Sequence, residues 1–243
     1  MNLIIDVGNS FVKLAVFKGK KLKYKEKVKL DDALVNIKAL KKKYNAIEKT
    51  IISSVGKLKK TDVKAIAKFF DVLVLDSKTK LPFKNLYKTP ETLGVDRIAL
   101  VCSAVNQFPH KNTLIIDAGT CITYDFVTSD NEYLGGAISP GLRMRYKSLN
   151  NLTANLPLLE SEIPNDIIGN STDESIHSGV VNGILKEIDG VIDTYKLKYS
   201  DLTVILTGGD AKFLSKQLKS SIFANSNFLL EGLNYILQFN TNE

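Results

Sequence analysis

Two cysteines and two histidines in 243 residues leave little material for metal or redox chemistry. Cys102 and Cys121 lack the spacing of a metal knuckle or redox pair, and neither is assigned a chemical role. His110 and His177 have no partner at zinc-ligand spacing, which favours structural or surface roles. No apolar stretch approaches the roughly 20 residues needed to cross a bilayer, and the chain opens on Asn2 and an early Asp6 rather than a basic, apolar leader. A cytoplasmic protein without a membrane partner is expected. There is no G-x-x-x-x-G-K-[ST] loop, which excludes a P-loop enzyme, and neither a G-x-S-x-G elbow nor an H-R-D kinase set is present. No segment is of low complexity.

What remains is a chain with 44% hydrophobic residues, enough to bury one large core or two modest ones. The formal charge of +7 is carried by lysines spread through 18–29, 38–43 and 57–68, on alternating or helical polar positions with few aromatics between them. A nucleic-acid strip would interleave stacking groups, so a solvated surface is expected and a nucleic-acid partner is not. The excess positive charge would still attract anionic substrates such as nucleotides.

The dominant pattern is a repeat. Leu3–Ser10 reads LIIDVGNS and Leu114–Cys121 reads LIIDAGTC. Around the first copy the periodicity predicts a strand, a Gly-Asn-Ser turn, a second strand through Phe11 to Phe17, a turn at Gly19 and a third strand through Tyr24 to Val28. Asp31 and Asp32 then open a helix with Leu34, Ile37 and Leu40 on one face, followed by strands over 50–54 and 72–75 separated by an amphipathic stretch over 63–70. The second half repeats the meander with strands over 114–117, 122–127 and 133–138. A whole supersecondary unit is not repeated by chance, and two copies are too few for a solenoid. An α/β protein of two lobes facing each other across a cleft is expected, with lobes 1–112 and 113–243 meeting where Pro109-His110-Lys111-Asn112 breaks a helix. Beyond the second meander, a helix begins near Gly141, and a long helix is capped by Ser171 with Glu174 three residues on. Its apolar stripe runs Ile176, Val180, Ile184, Ile188, Val191 and Tyr195, and a strand over 202–206 and a helix over roughly 229–239 close the chain.

Three motif classes carry chemistry. In Asp6-Val7-Gly8-Asn9-Ser10 a buried strand delivers a carboxylate beside backbone that can approach a phosphate closely. The turn N–H groups and the Asn9 and Ser10 side chains are candidate phosphate donors, Lys13 adds charge, and Asp6 would act through Mg2+ or its waters. The competing reading is a hairpin whose Asp and Asn only stabilise the turn. In Gly94-Val95-Asp96-Arg97, before the helical run Ile98, Val101 and Val105, Asp96 either favours the helix N-terminus or accepts a proton from a substrate hydroxyl, with Arg97 gripping a carboxylate. Thr207-Gly208-Gly209-Asp210 follows a strand and precedes a helix, a turn that can pack against a ring or a phosphate but that is common elsewhere.

Together, Asp6 to Ser10, Gly94 to Arg97, Asp117-Ala118-Gly119-Thr120, Gly136-Ala137-Ile138-Ser139-Pro140-Gly141 and Thr207 to Asp210 resemble, in order and over nearly the whole chain, the type III pantothenate kinases of the actin-like, sugar-kinase and heat-shock-ATPase superfold. The resemblance implies two ribonuclease-H-like lobes and transfer of the ATP γ-phosphoryl group to the 4′-hydroxyl of pantothenate, the first step toward coenzyme A. It makes Asp96 the general base and Gly94, Val95, Asp96 and Arg97 part of the pantothenate pocket, with Tyr87 and Thr172 as further contacts. Asp6, Val7, Gly8, Asn9, Ser10, Phe11, Val12 and Lys13 become the phosphate-binding hairpin, with Asp6 near Mg2+. Asp117 becomes the ligand of a monovalent cation, K+ or NH4+, and Thr120 an ATP contact. A homodimer with the long helices near its interface and sites shared between protomers is also implied. Ser10 stands where threonine is usual and keeps the hydroxyl, while Asn170-Ser171-Thr172 varies a segment that usually carries a basic residue. The alternatives are another small-molecule kinase or phosphatase on the same superfold and, from a different class, a transcriptional accessory protein using its basic surface.

Overall fold

The computed structural model describes residues 1–8, 11–54 and 58–241. The chain divides into two compact units: Met1–Pro109 with Asn131–Tyr133 and Asn227–Glu243, and His110–Asp130 with Leu134–Ser226.

In the first unit, β1 (Asn2–Val7), β2 (Val12–Lys18) and β3 (Lys21–Val28) form the antiparallel meander that the alternation predicts. β4 (Lys49–Ser54) and β5 (Asp71–Val74) extend it in parallel, giving the order β3-β2-β1-β4-β5. β1 is central and almost wholly buried, as its near-continuous apolar run requires. β3 is an edge, where Lys21, Lys23, Lys25 and Lys27 point to solvent and Leu22, Tyr24 and Val28 turn partly inward. Part of the positive charge is therefore edge protection. On one face Leu3, Ile5, Leu14 and Ile52 pack with Ala33, Ile37 and Leu40 of α1 (Ala33–Lys43) and Ile66 of α2 (Lys60–Ala67). α3 (Val95–Gln107) packs against the last helix, α8 (Phe228–Thr241), which also touches β1 and β4. Gly232 makes that packing possible: a methyl there would lie 1.9 Å from the Ala99 carbonyl oxygen. Buried Asn234 of α8 donates to Gly19 O and accepts from Asn2 Nδ2, tying the last helix to the first hairpin. A two-residue strand, β6 (Lys84–Asn85), pairs with Glu132 and Tyr133.

The second unit repeats the design. β7 (Thr113–Ala118) and β8 (Cys121–Val127) are antiparallel, and β9 (Glu132–Pro140) follows beside β8. β10 (Thr203–Thr207) and β11 (Phe223–Ala224) add in parallel to β7, so five strands of this six-stranded sheet, β9-β8-β7-β10-β11, take the order of the first sheet, with β6 at the β9 edge. The duplication thus extends past the meander to five strands. α4 (Leu142–Leu152) follows Gly141, and α7 (Ala211–Leu214) follows the Gly-Gly-Asp turn.

The long helix runs as α5 (Thr172–His177), a π-turn over Ser178–Asn182 and α6 (Gly183–Lys198). Ser171 Oγ accepts the Glu174 N–H at 3.3 Å, the expected cap, while the Glu174 carboxylate reaches back to the Asn170 N–H at 3.1 Å, one residue beyond the usual box. The π-turn widens the buried stripe to include both Val180 and Val181, after which it continues through Ile184, Ile188 and Ile192. Val191 and Tyr195, expected on the stripe, flank it at partial burial. Among the described residues no helix is long and apolar enough to cross a membrane.

Candidate functional site

In the first unit, the end of β1 sets Asp6 between two neighbours. Lys13 lies opposite on β2 and donates to Asp6 Oδ2 at 3.2 Å, and Ser53 lies opposite on parallel β4. Asp6 is 6% exposed. Burial pushes its carboxyl above the ordinary value of 3.8, the Lys13 ammonium and hydrogen bond pull the other way, and the Asp96 carboxylate adds a further upward push that a Ser53 hydrogen bond partly offsets. Asp96 stands 90 positions later in sequence, and the fold brings its charge to the same end of the sheet. Gly8 N–H donates to Phe11 O at 3.0 Å and closes the turn. The Val7 and Val12 side chains belong to the core, so only their backbone remains for phosphate. Phe11 is exposed, with the Lys27 ammonium 3.9 Å from its ring centre. Asn9 and Ser10 lie outside the described residues.

Asp96 occupies the first turn of α3, where its Oδ1 accepts the Arg97 N–H at 2.8 Å. Its helix-terminal role is therefore real. A methyl at Gly94 would sit 2.4 Å from Asp96 Oδ1, so the carboxylate would have to shift to admit it. Arg97 is buried, and its guanidinium lies 5.6 Å from the Tyr87 ring centre. Tyr87 stacks on Tyr133 at 6.1 Å, and its N–H donates to Asn85 Oδ1 at 3.0 Å. The short β6 ladder thus positions Tyr87, bringing two of the expected substrate residues into one stack. Tyr133 and Ser53 were not among the sequence candidates, because their roles come from strand pairing that leaves no local motif.

In the second unit, Asp117 ends β7 with Thr123 opposite on β8 and Thr207 beside it on β10. Gly119 N–H donates to Cys121 O at 2.9 Å, closing the turn as Gly8 does. Two other motifs converge here. Gly208 has φ +97°, and a methyl on it would lie 2.2 Å from Ala118 O and 2.4 Å from Asp117 Oδ1. Asp210 N–H donates to Ala118 O at 2.9 Å, and burial raises the Asp210 carboxyl above its ordinary value. Gly141 N–H donates to Thr120 O at 3.2 Å, and a methyl there would strike Gly119 O and Thr120 O at 2.2 and 2.4 Å. Two glycine segments that are weak signals alone thus pack on the Asp117–Thr120 turn, with Thr120 exposed at its tip. Thr172 lies elsewhere in this unit, at the mouth of a cavity of about 890 Å3 lined also by Arg145, Ser148, Asn170, Ser171 and Ser175.

Among the described residues no group of three or more His, Cys, Asp or Glu side chains could hold a metal by itself. Asp6 fits Mg2+ only as one carboxylate beside substrate phosphates, the way this ion usually binds in kinases. The Asp117 carboxylate, a hard oxygen donor in a turn whose shape excludes a Cβ at Gly208, fits a hard monovalent cation.

A family model described as type III pantothenate kinase matches residues 2–194. The chain is 57% identical over 240 residues to a type III pantothenate kinase of Christiangramia forsetii, covering 99% of each. It is 48% identical to that of Flavobacterium johnsoniae, covering 98% of each. A solved structure from Campylobacter jejuni, described as a Baf family transcriptional activator, superposes with a TM-score of 0.68 at 23% identity, covering 99% of this chain and 100% of that one. A ROK family glucokinase of Streptomyces griseus, solved with glucose and AMPPNP, superposes with a TM-score of 0.54 at 10% identity, covering 100% and 99%. These two likenesses speak to the fold alone: a mixed α/β architecture with two sheets.

Proposed function

The chain belongs to the type III pantothenate kinase family, and from that premise we propose that it transfers the γ-phosphoryl group of ATP to the 4′-hydroxyl of pantothenate, giving 4′-phosphopantothenate and ADP. The observation that supports the residue assignment is that the Asp96 charge is near enough to the Asp6–Lys13 pair to push the Asp6 carboxyl up. Asp96 is the general base. Its Oδ1 is steadied by the Arg97 N–H, and the carboxylate takes the hydroxyl proton as the new O–P bond forms and the bond to the β,γ-bridging oxygen breaks. Arg97, flattened against Tyr87, presents a charged fork to the pantothenate carboxylate, and the backbone of Gly94 and Val95 completes that wall. Thr172, exposed at its cavity, supplies a further contact.

The Asp6 to Lys13 hairpin cradles the phosphates: Lys13 supplies positive charge, and Asp6 holds Mg2+ directly or through water. An Mg2+ held there would supply charge neutralisation for the phosphates of ATP. Asp117 holds the monovalent cation, K+ or NH4+, and Thr120 touches ATP. Both units are ribonuclease-H-like lobes on this reading, supported by their shared strand order. A cytoplasmic homodimer is part of the same proposal. Exposed Leu152, Ile163, Ile167 and Ile168 in the second unit give apolar surface for a protein partner. The test is Asp96→Asn in purified protein: the circular dichroism spectrum should be unchanged and pantothenate-dependent ADP release should fall about a hundredfold or more. Near-normal turnover would remove Asp96 from the role of base.

A further inference from the structure

We propose that Arg145, Glu187 and Tyr124 form a positioning network that sets the Asp117–Thr120 turn, and so governs nucleotide and cation binding without touching either ligand. Four elements meet in it. Tyr124 comes from β8, Ser139 and Pro140 from the end of β9, Arg145 from α4 and Glu187 from α6. Arg145 Nε donates to Pro140 O at 3.0 Å, and its Nη2 donates to Ser139 Oγ at 3.1 Å and to the Glu187 carboxylate. The other Glu187 oxygen accepts the Tyr124 hydroxyl at 2.8 Å.

This is more than a surface ion pair. The Tyr124 side chain is 1% exposed, and the two charged side chains are about three-quarters covered. Burial by itself would raise the Glu187 carboxyl, but hydrogen bonds from Arg145, Tyr124 and Ser139 outweigh it and hold it below its ordinary value. Glu187 therefore remains an ionised hub at neutral pH. The arrangement also needs a planar fork, since one lysine ammonium cannot serve a backbone carbonyl, a hydroxyl and a carboxylate in the same fixed geometry.

The link to the turn is short. Arg145 fixes Ser139 and Pro140, and the next residue, Gly141, lies hard against Gly119 O and Thr120 O and donates to the latter. Tyr124 fixes β8 four residues beyond Thr120, on the strand by which the chain leaves the turn. The Asp117–Thr120 turn is thus held from its exit strand and from the Gly141 side, and both holds end on Glu187.

The inference rests on the proposed reading of Asp117 as cation ligand and Thr120 as ATP contact. Its test compares Tyr124→Phe, Glu187→Gln, Arg145→Ala and Arg145→Lys with Asp117→Asn in the full chain. Four quantities are read: the KM for ATP, the KM for pantothenate, the K+ concentration for half-maximal activity, and the rise in Tm on adding K+. Network variants should raise the ATP and K+ constants roughly tenfold or more, as loss of an outer-shell partner typically does, and shrink the K+-induced rise in Tm. In Tyr124→Phe and Glu187→Gln, neither of which lines the Thr172 cavity, the pantothenate KM should move far less, and Arg145→Lys should not restore the ATP and K+ constants of Arg145→Ala. Should Arg145→Ala fail to fold, Tyr124→Phe and Glu187→Gln decide the matter. If Asp117→Asn abolishes the K+ response while these two leave the ATP and K+ constants at wild-type values, the network has no such role. A rise confined to the pantothenate KM overturns the inference as well. If Asp117→Asn itself leaves the K+ response intact, the failure lies in the reading of the turn.

Discussion

In the first unit Asp6 faces Lys13 across its hairpin, whereas in the second unit Asp117, at the same place in the same strand order, faces Thr123. Val7 pairs with Val12 but Ala118 with Ile122, so the first turn is one residue longer. The neighbour on the parallel side also differs: Ser53 beside Asp6, and Thr207, followed by the crowding Gly208, beside Asp117. The repeat sets a carboxylate at two equivalent strand ends, and the residues beside each differ in charge. A carboxylate with an ammonium built in suits a site that must receive phosphate, where a bare carboxylate would repel the ligand. On the proposed reading, Asp117, whose cross-strand neighbour Thr123 is uncharged, is the carboxylate assigned to the monovalent cation.

That contrast can be broken most severely at Gly208. Gly208→Ala forces a methyl toward Ala118 O at a positive φ, and the displaced turn should cost roughly a hundredfold or more in kcat/KM. Gly209→Ala, with open space around its added carbon, should stay near wild type in the same assay.

Asp6→Asn should lower kcat roughly ten- to a hundredfold, the usual cost of disturbing a metal-linked carboxylate. It should also raise Tm at pH 7 to 8. Because burial lifts the Asp6 carboxyl above 3.8 in the folded state, the native chain holds that proton more tightly than the unfolded one. Ionised Asp6 therefore lowers stability progressively as pH rises through that interval, and the cost persists above it. The neutral amide removes the cost, so its advantage in Tm should shrink as pH falls toward 4; an advantage that grows on acidification would contradict the burial account.

Lys13→Met should raise the ATP KM roughly tenfold, the scale of one charge-assisted hydrogen bond, with little change in K+ dependence. The smallest effect sharpens the contrast most. Thr123→Lys places an ammonium opposite Asp117, and the stimulation by K+ should fall a few-fold, in keeping with a partly exposed pair. Undiminished stimulation would mean that Asp117 and the cation do not meet.

The hairpins were legible because each is written in consecutive residues: an apolar run, an aspartate, a glycine turn, an alternating strand. The Ser171 cap and most of the Ile176 to Ile188 stripe were legible for the same local reason. Ser53 beside Asp6 and Tyr133 beneath Tyr87 were not, since parallel pairing and ring stacking join residues more than 40 positions apart. The return of α8 to the first unit is equally silent in sequence, and is visible only when Gly232 meets Ala99 and Asn234 meets Asn2. After Ile188 the 3.6-residue spacing fits Val191 and Ile192 alike, and only packing makes Ile192 the buried one.

The most direct measurement is a coupled assay of ADP release by the purified chain with ATP and Mg2+, with and without pantothenate and with and without K+. The account expects release that requires pantothenate and rises with K+. No release under either cation condition, from folded protein, would contradict it.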